Sequence, residues 1–283
     1  MYRAEISRDY PTVLLFLLDQ SDSMSGVLGG GKDAVMRKDE SAADVINKML
    51  DAFVHRCSTG EDIRNYFDIG VIGYGREKDW VGPVFEGALE GRDLVSIGEL
   101  GNNPAKVEER EKLTPDGAGG VVKIKTKFPT WFSPTAGWNT PMCKALEYTF
   151  GVLEGWVKNH ADSYPPIVVN ITDGQSTDGD PTEMAFRLTS LSTDDGNVLL
   201  FNCHLSEAPS APILFPDDHA NLPDDFAKLL FNISSVFPES TRILAASEGF
   251  SVSPNSRGFV FNADFVNLYK FLDIGTRTQI KDS

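Results

Sequence analysis

"LLFLLDQSDSMSG", residues 14–26, sets the reading of the whole chain. Its apolar run has the form of a buried strand, and the run stops at Asp19. Ser21 and Ser23 follow at alternate positions, so a carboxylate and two hydroxyls stand together where a strand leaves the core. Strands covered on both faces read as near-continuous apolar runs, the mark of a parallel sheet. "PIVVNITD" (166–173) and "NVLLFNCHL" (197–205) have the same character. "FDIGVIGYG" (67–75) and "RGFVFNA" (257–263) add two further strands to that of residues 12–19. "VVKIKTK" (121–127) alternates apolar and basic residues, as an edge strand with one solvated face does.

Helical periodicity separates these strands. Residues 42–57 place Ile46, Met49, Leu50, Phe53 and Cys57 on one face, and residues 141–158 do the same with Met142, Leu146, Phe150, Leu153 and Trp156. Asp180, Pro181 and Glu183 form a helix start signal, "PDDFAKLLFNISSVF" (223–237) opens on two aspartates, and residues 264–274 close the chain. Strands alternating with helices give an α/β fold with a mostly parallel central sheet, one antiparallel edge strand and helices on both faces. No internal repeat and no strong boundary appear, so residues 1–283 read as one domain. Residues 82–120 are glycine-rich and weakly periodic and read as a long insertion; residues 206–222, rich in proline and acid, read as a loop on the sheet's rim.

The composition narrows the classes of partner. Of 283 residues, 41% are apolar, enough for a large core, and the formal net charge is −15. That charge repels phosphate backbones and anionic lipid, which argues against nucleic acid and membranes as partners. Three widely spaced cysteines, Cys57, Cys143 and Cys203, without a CxxC, indicate reduced thiols and a cytoplasmic location. The apolar stretch near the N-terminus is too short for a signal peptide or a span. The sequons at Asn170 and Asn232 carry no meaning in that setting.

In an open α/β sheet, ligands sit beyond the carboxyl ends of the strands, where strand order reverses. Asp19 and Asp173 both fall at such ends. Two carboxylates in one crevice repel unless a proton or a cation intervenes, and a divalent cation is the natural remedy. Ser21 and Ser23 add hard neutral oxygens. Thr140, in "GWNTPMCKAL", precedes Pro141 at a helix start, where its hydroxyl either caps the helix or meets a ligand. Mg2+ takes about six oxygens, and this set nearly fills its shell. Taken singly, each element also has an ordinary reading as a turn or a cap.

Together, DxSxS after the first strand, a threonine before a middle helix and TDG after the fourth strand resemble the metal-ion-dependent adhesion site of von Willebrand factor A (VWA) domains. The residues here are Asp19, Ser21 and Ser23, then Thr140, then Asp173 in "ITDGQSTDG". "NTPM" followed by "AL" and then by "ITDGQSTDG" is similar to bacterial members associated with tellurite-resistance and stress operons. The resemblance covers residues 12 to 205 and extends through the closing strand and helix to 275. It implies a Rossmann-like three-layer sandwich, the VWA fold. It also implies that the serines and the threonine bind Mg2+, or Mn2+ or Ca2+, directly, with the aspartates bound directly or through water. One position is then left for an Asp or Glu of a partner protein. The implied role is a protein–protein interaction module, not an enzyme, and in the stress-operon relatives the partner is a kinase or phosphatase of the same signalling assembly.

Other motifs compete. "GVLGGGK" (26–32) fits GxxxxGK, but Asp33 stands where a phosphate-binding loop needs Ser or Thr, so a plain loop is expected. A Mg2+-dependent phosphatase or phosphotransferase with Asp19 as nucleophile is the alternative function. Ser21 occupies the place where the haloacid-dehalogenase-like pattern has its second acid. Asp178, in the second TDG, either supports the ligands or makes a turn. The four histidines are scattered, and Cys203 and His204 point to opposite faces of their strand.

Overall fold

The computed structural model describes residues 1–28, 36–60, 62–115, 121–205 and 211–276. In chain order the strands are β1 (Thr12–Asp19), β2 (Phe67–Tyr74), β3 (Val81–Pro83), β4 (Val95–Ser96), β5 (Lys106–Pro115), β6 (Val121–Thr130), β7 (Ile167–Thr172), β8 (Leu199–His204), β9 (Ile213–Leu214) and β10 (Phe259–Phe261), besides two-residue ladders at 58–59/62–63 and 192–193/196–197. The helices are α1 (Lys38–Cys57), α2 (Ile97–Asn102), α3 (Met142–Asn159), α4 (Thr182–Ser190), α5 (Asp225–Ile233), α6 (Glu239–Ser247) and α7 (Phe265–Thr276). None of the described helices is long and apolar enough to cross a membrane.

β1 is buried along its whole length because both of its faces are covered. Leu14, Phe16 and Leu18 pack among Ile46, Met49, Leu50 and Phe53 of α1 and Leu268, Phe271 and Leu272 of α7. Val13, Leu15 and Leu17 pack among Met142, Leu146 and Leu153 of α3, Ala185 and Leu188 of α4, and Phe226 and Leu230 of α5. The period of two along the strand thus feeds two separate apolar layers, one on each side of the sheet. Each such side chain contributes roughly 1.5–3 kcal/mol on burial, which makes this strand the anchor of both layers.

The sheet runs β9–β10–β8–β7–β1–β2–β3, with β4 also on β2. β10, β8, β7, β1 and β2 are mutually parallel, as the apolar runs require. Antiparallel strands close both edges: β9 on β10, and β3 and β4 on β2. The chain is therefore α/β with a mostly parallel sheet between helical layers. On the layer that holds Leu17, a chain of side-chain bonds crosses the sheet. Tyr74 Oη donates to Asn170 Oδ1 (2.8 Å), Asn170 Nδ2 to Asn202 Oδ1 (3.0 Å), and Asn202 Nδ2 to Ser234 Oγ (2.9 Å).

Several expectations need correction. The stretch 121–127 belongs to β6, which pairs with β5 in a two-stranded ribbon of its own and not at the edge of the central sheet. Its basic residues meet glutamates across the ribbon, Lys123 with Glu111 and Lys125 with Glu109, so the alternation reflects cross-strand ion pairs. Residues 82–115 of the expected insertion are ordered as the end of β3, β4, α2 and β5, and 116–120 lie outside the described residues. Part of the expected rim loop, Ile213–Leu214, is an edge strand, and 206–210 lie outside the described residues. The helix expected over 223–237 ends at Ile233, because the Ser235 N–H donates to Leu200 O (2.7 Å) and draws the chain back to β8; Pro238 precedes the next helix. Most of the GVLGGGK motif also falls outside the described residues.

Candidate metal centre

From β1 the chain runs outward to β2 and β3, then returns to the other side of β1 for β7, β8 and β10. Strand order reverses between β1 and β7, the position at which open α/β sheets hold ligands. Register places Leu18 beside Ile171, so Asp19 is level with Thr172 and one step from Asp173. Sequence and topology together thus bring the two carboxylates to one crevice.

Asp19 is fully buried. Its Oδ1 accepts the N–H of Ser21 (2.9 Å), and its Oδ2 accepts the hydroxyl of Thr172 (2.6 Å). Burial pushes its pKa up to about 6; the bonds from Thr172 and Ser21 oppose that rise, and the neighbouring Asp173 charge adds to it. The turn that follows, a 3-10 helix over Asp22–Ser25, carries Ser23. The Asp22 N–H donates to Trp138 O (3.0 Å), which ties this turn to the loop that leads to Thr140.

The hydroxyls converge on Asp173. Ser21 Oγ and Ser23 Oγ are 3.0 Å apart, and Ser23 Oγ donates to Asp173 Oδ1 at 2.7 Å. The other oxygen of Asp173 accepts Lys38 Nζ at 2.5 Å, with the two side chains only 5% and 1% exposed. Thr140 is fixed through its main chain. Its carbonyl accepts the N–H groups of Met142 (2.8 Å) and Thr177 (2.9 Å), and its own N–H donates to Thr177 Oγ1 (3.0 Å). A Cβ at Gly174 would stand 3.5 Å from Thr140 Oγ1 and 3.6 Å from Ser23 Oγ, so these two hydroxyls flank the glycine that follows Asp173. Gly75, at φ +92, lets the Asn139 carbonyl approach to 2.1 Å from where a Cβ would be, which seats the 137–140 loop on the end of β2.

All five expected residues therefore come together: Asp19, Ser21, Ser23, Thr140 and Asp173. The set fits a hard divalent cation. In an octahedron with ligands at about 2.1 Å, neighbouring oxygens are about 3.0 Å apart. The Ser21–Ser23 (3.0 Å) and Ser23–Asp173 (2.7 Å) separations are hydrogen-bond distances that a shell of this size could take over with small shifts. Two carboxylates would balance the charge of a divalent ion, and the other donors are neutral. Among the described residues, no three His, Cys, Asp or Glu side chains gather at one point, so the hydroxyls are what makes this donor set.

Asp178 has a defined task. Its Oδ1 accepts the N–H of Cys143 and its Oδ2 that of Lys144, each at 3.0 Å, and Ser176 Oγ also donates to Oδ1 (2.8 Å). It caps α3, the helix that Thr140 precedes. His204 is buried beside Phe226 and Phe261, opposite in face to Cys203, and burial lowers its pKa to about 4. Lys38 is the residue that motif reading missed. Its one sequence signal is a cation in the first turn of a helix, where the macrodipole disfavours it. Comparison of the chain with protein-family models and with curated proteins finds no match.

Proposed function

We propose that the chain is a VWA-type interaction module whose adhesion site holds Mg2+, or Mn2+ or Ca2+, and through it takes an Asp or Glu of a partner protein. One observation carries this reading: the hydroxyls of Ser21 and Ser23 and the Asp173 carboxylate converge at the strand ends, with the Thr140 hydroxyl across Gly174. When bound, the ion supplies an electrophilic position for a third carboxylate. The chain's own residues do the rest. Asp19 holds the Ser21 backbone in place and supplies negative charge beside the ion; Ser21, Ser23 and Thr140 offer neutral oxygens; Asp173 offers the carboxylate that the turn presents. Asp178 fixes the start of α3, whose N-terminal partial charge favours an incoming anion. The wider setting rests on the resemblance: a cytoplasmic, non-enzymatic member of a bacterial stress or signalling assembly, working beside a kinase or phosphatase. The alternative, Asp19 as the nucleophile of a phosphatase, is disfavoured because Ser21 stands where that chemistry needs a second acid to protonate the leaving group.

Thermal unfolding in EDTA and in Mg2+ or Mn2+ tests the reading. Ligand at about 100 times Kd stabilises by about 2.7 kcal/mol, a rise of roughly 4–5 °C for a domain of this length. Asp173→Ala is expected to abolish the rise. An equal rise in the variant would remove Asp173 from the centre, and no rise in the wild type would remove the metal.

A further inference from the structure

We infer that the Lys38 ammonium is a built-in counter-ion of this centre, and that a divalent cation fills the centre by displacing Lys38 from Asp173. The inference rests on the metal reading above and extends it to how the site is regulated.

Lys38 is the first residue of α1, 4% exposed overall, and its Nζ stands 2.5 Å from Asp173 Oδ2. The helix dipole gives a cation no support at that end, and the Asp173 carboxylate offsets this. Its main chain is tied to the metal-binding loop. The Lys38 N–H donates to Gly26 O (2.9 Å), and the Gly26 N–H donates to Ser23 O (3.0 Å). Ser23 Oγ and Lys38 Nζ therefore divide the two oxygens of Asp173 between them. An ion ligated by Ser23 and Asp173 would share that carboxylate with the ammonium, and two cations on one carboxylate repel strongly where water is excluded. Because the backbone is anchored, it is the flexible four-carbon stem of Lys38 that yields. The apparent metal affinity is then reduced by the fraction of molecules in which the lysine has withdrawn, so Lys38 sets the metal level at which the site fills.

Two measurements on the full chain test this. Mn2+ binding, followed by electron paramagnetic resonance at neutral pH, is compared for wild type, Lys38→Met, Lys38→Gln and Lys38→Arg. The neutral variants are expected to bind Mn2+ about tenfold more tightly, and Lys38→Arg no more tightly than wild type. In the wild type itself, acylation of the Lys38 amine, read by mass spectrometry, is expected to be slow in EDTA and several-fold faster in saturating Mn2+. This arm decides if the neutral variants do not fold. Equal Mn2+ affinity in wild type and neutral variants, or acylation unaffected by Mn2+, overturns the counter-ion role and leaves the metal centre standing. Absence of Mn2+ binding in all four proteins overturns the metal reading, and this inference with it.

Discussion

Asp19→Asn offers a quantitative test of how the centre stores free energy. Burial holds the Asp19 pKa at about 6 against an ordinary value of 3.8. That rise of about two pKa units corresponds to roughly 3 kcal/mol of instability whenever the carboxylate is ionised in the folded chain without a metal. The sign follows from the direction of the shift. Because the folded value lies above the unfolded one, stability is full below about pH 4, declines as pH rises, and levels off above about pH 6. Asparagine removes the charge and can keep the bonds. Its oxygen accepts the Ser21 N–H, and its amide donates to Thr172 Oγ1, whose proton turns to the Gly174 carbonyl 3.2 Å away. In EDTA at pH 7.5 the variant should therefore melt about 5 °C above wild type, taking the unfolding entropy of a chain this long at about 0.6 kcal/mol/K. At pH 5 the gap should shrink to about half. In Mg2+ the order should close or reverse, since only the wild type has the charge that holds the ion. Differential scanning calorimetry across this pH range with and without Mg2+ is the assay. A variant less stable than wild type in EDTA, or a gap equal at pH 5 and 7.5, would show that the Asp19 charge does not destabilise the metal-free fold.

Three further outcomes are expected. Asp178→Ala leaves the Cys143 and Lys144 N–H groups without their acceptor and should cost about 1–2 kcal/mol in urea denaturation, with weaker Mg2+ binding through the loosened Thr140 loop. Affinity for an identified partner should fall steeply in EDTA but only mildly with added salt, and Thr140→Ala should weaken binding while the fold persists; full affinity in EDTA would place the contact elsewhere.

The strands that carry the site were legible because their signal is physical and local. A run such as Leu14–Leu18 belongs in the middle of a sheet covered on both faces, and the polar residue that ends it marks the rim. The same reasoning misplaced 121–127, because alternation tells that one face is solvated but not which strand lies alongside. The partner, "KVEEREKLTP" (106–115), is so highly charged that no apolar period marks it. The Asp180 signal was close. Its carboxylate accepts the Thr182 N–H at 2.9 Å, and the helix begins one residue later than the motif suggested. Lys38 was illegible for another reason. It lies 15 positions beyond Ser23, and only the fold shows that the start of α1 comes back over Asp173.

The side-chain chain from Tyr74 through Asn170 and Asn202 to Ser234 links three strands that each contribute a wall or a rim to the centre. A slip of β7 by one residue would turn Asn170 to the opposite face and strip two neighbours of their bonds at once, within an otherwise apolar layer. The amides thus work as a vernier. They hold β7 level with β2 and β8 to within a single residue step, and β1 is paired by its backbone to β2 and β7 on either side, so that the spacing of Asp19 and Asp173 is set in the interior and the loops above need only supply hydroxyls.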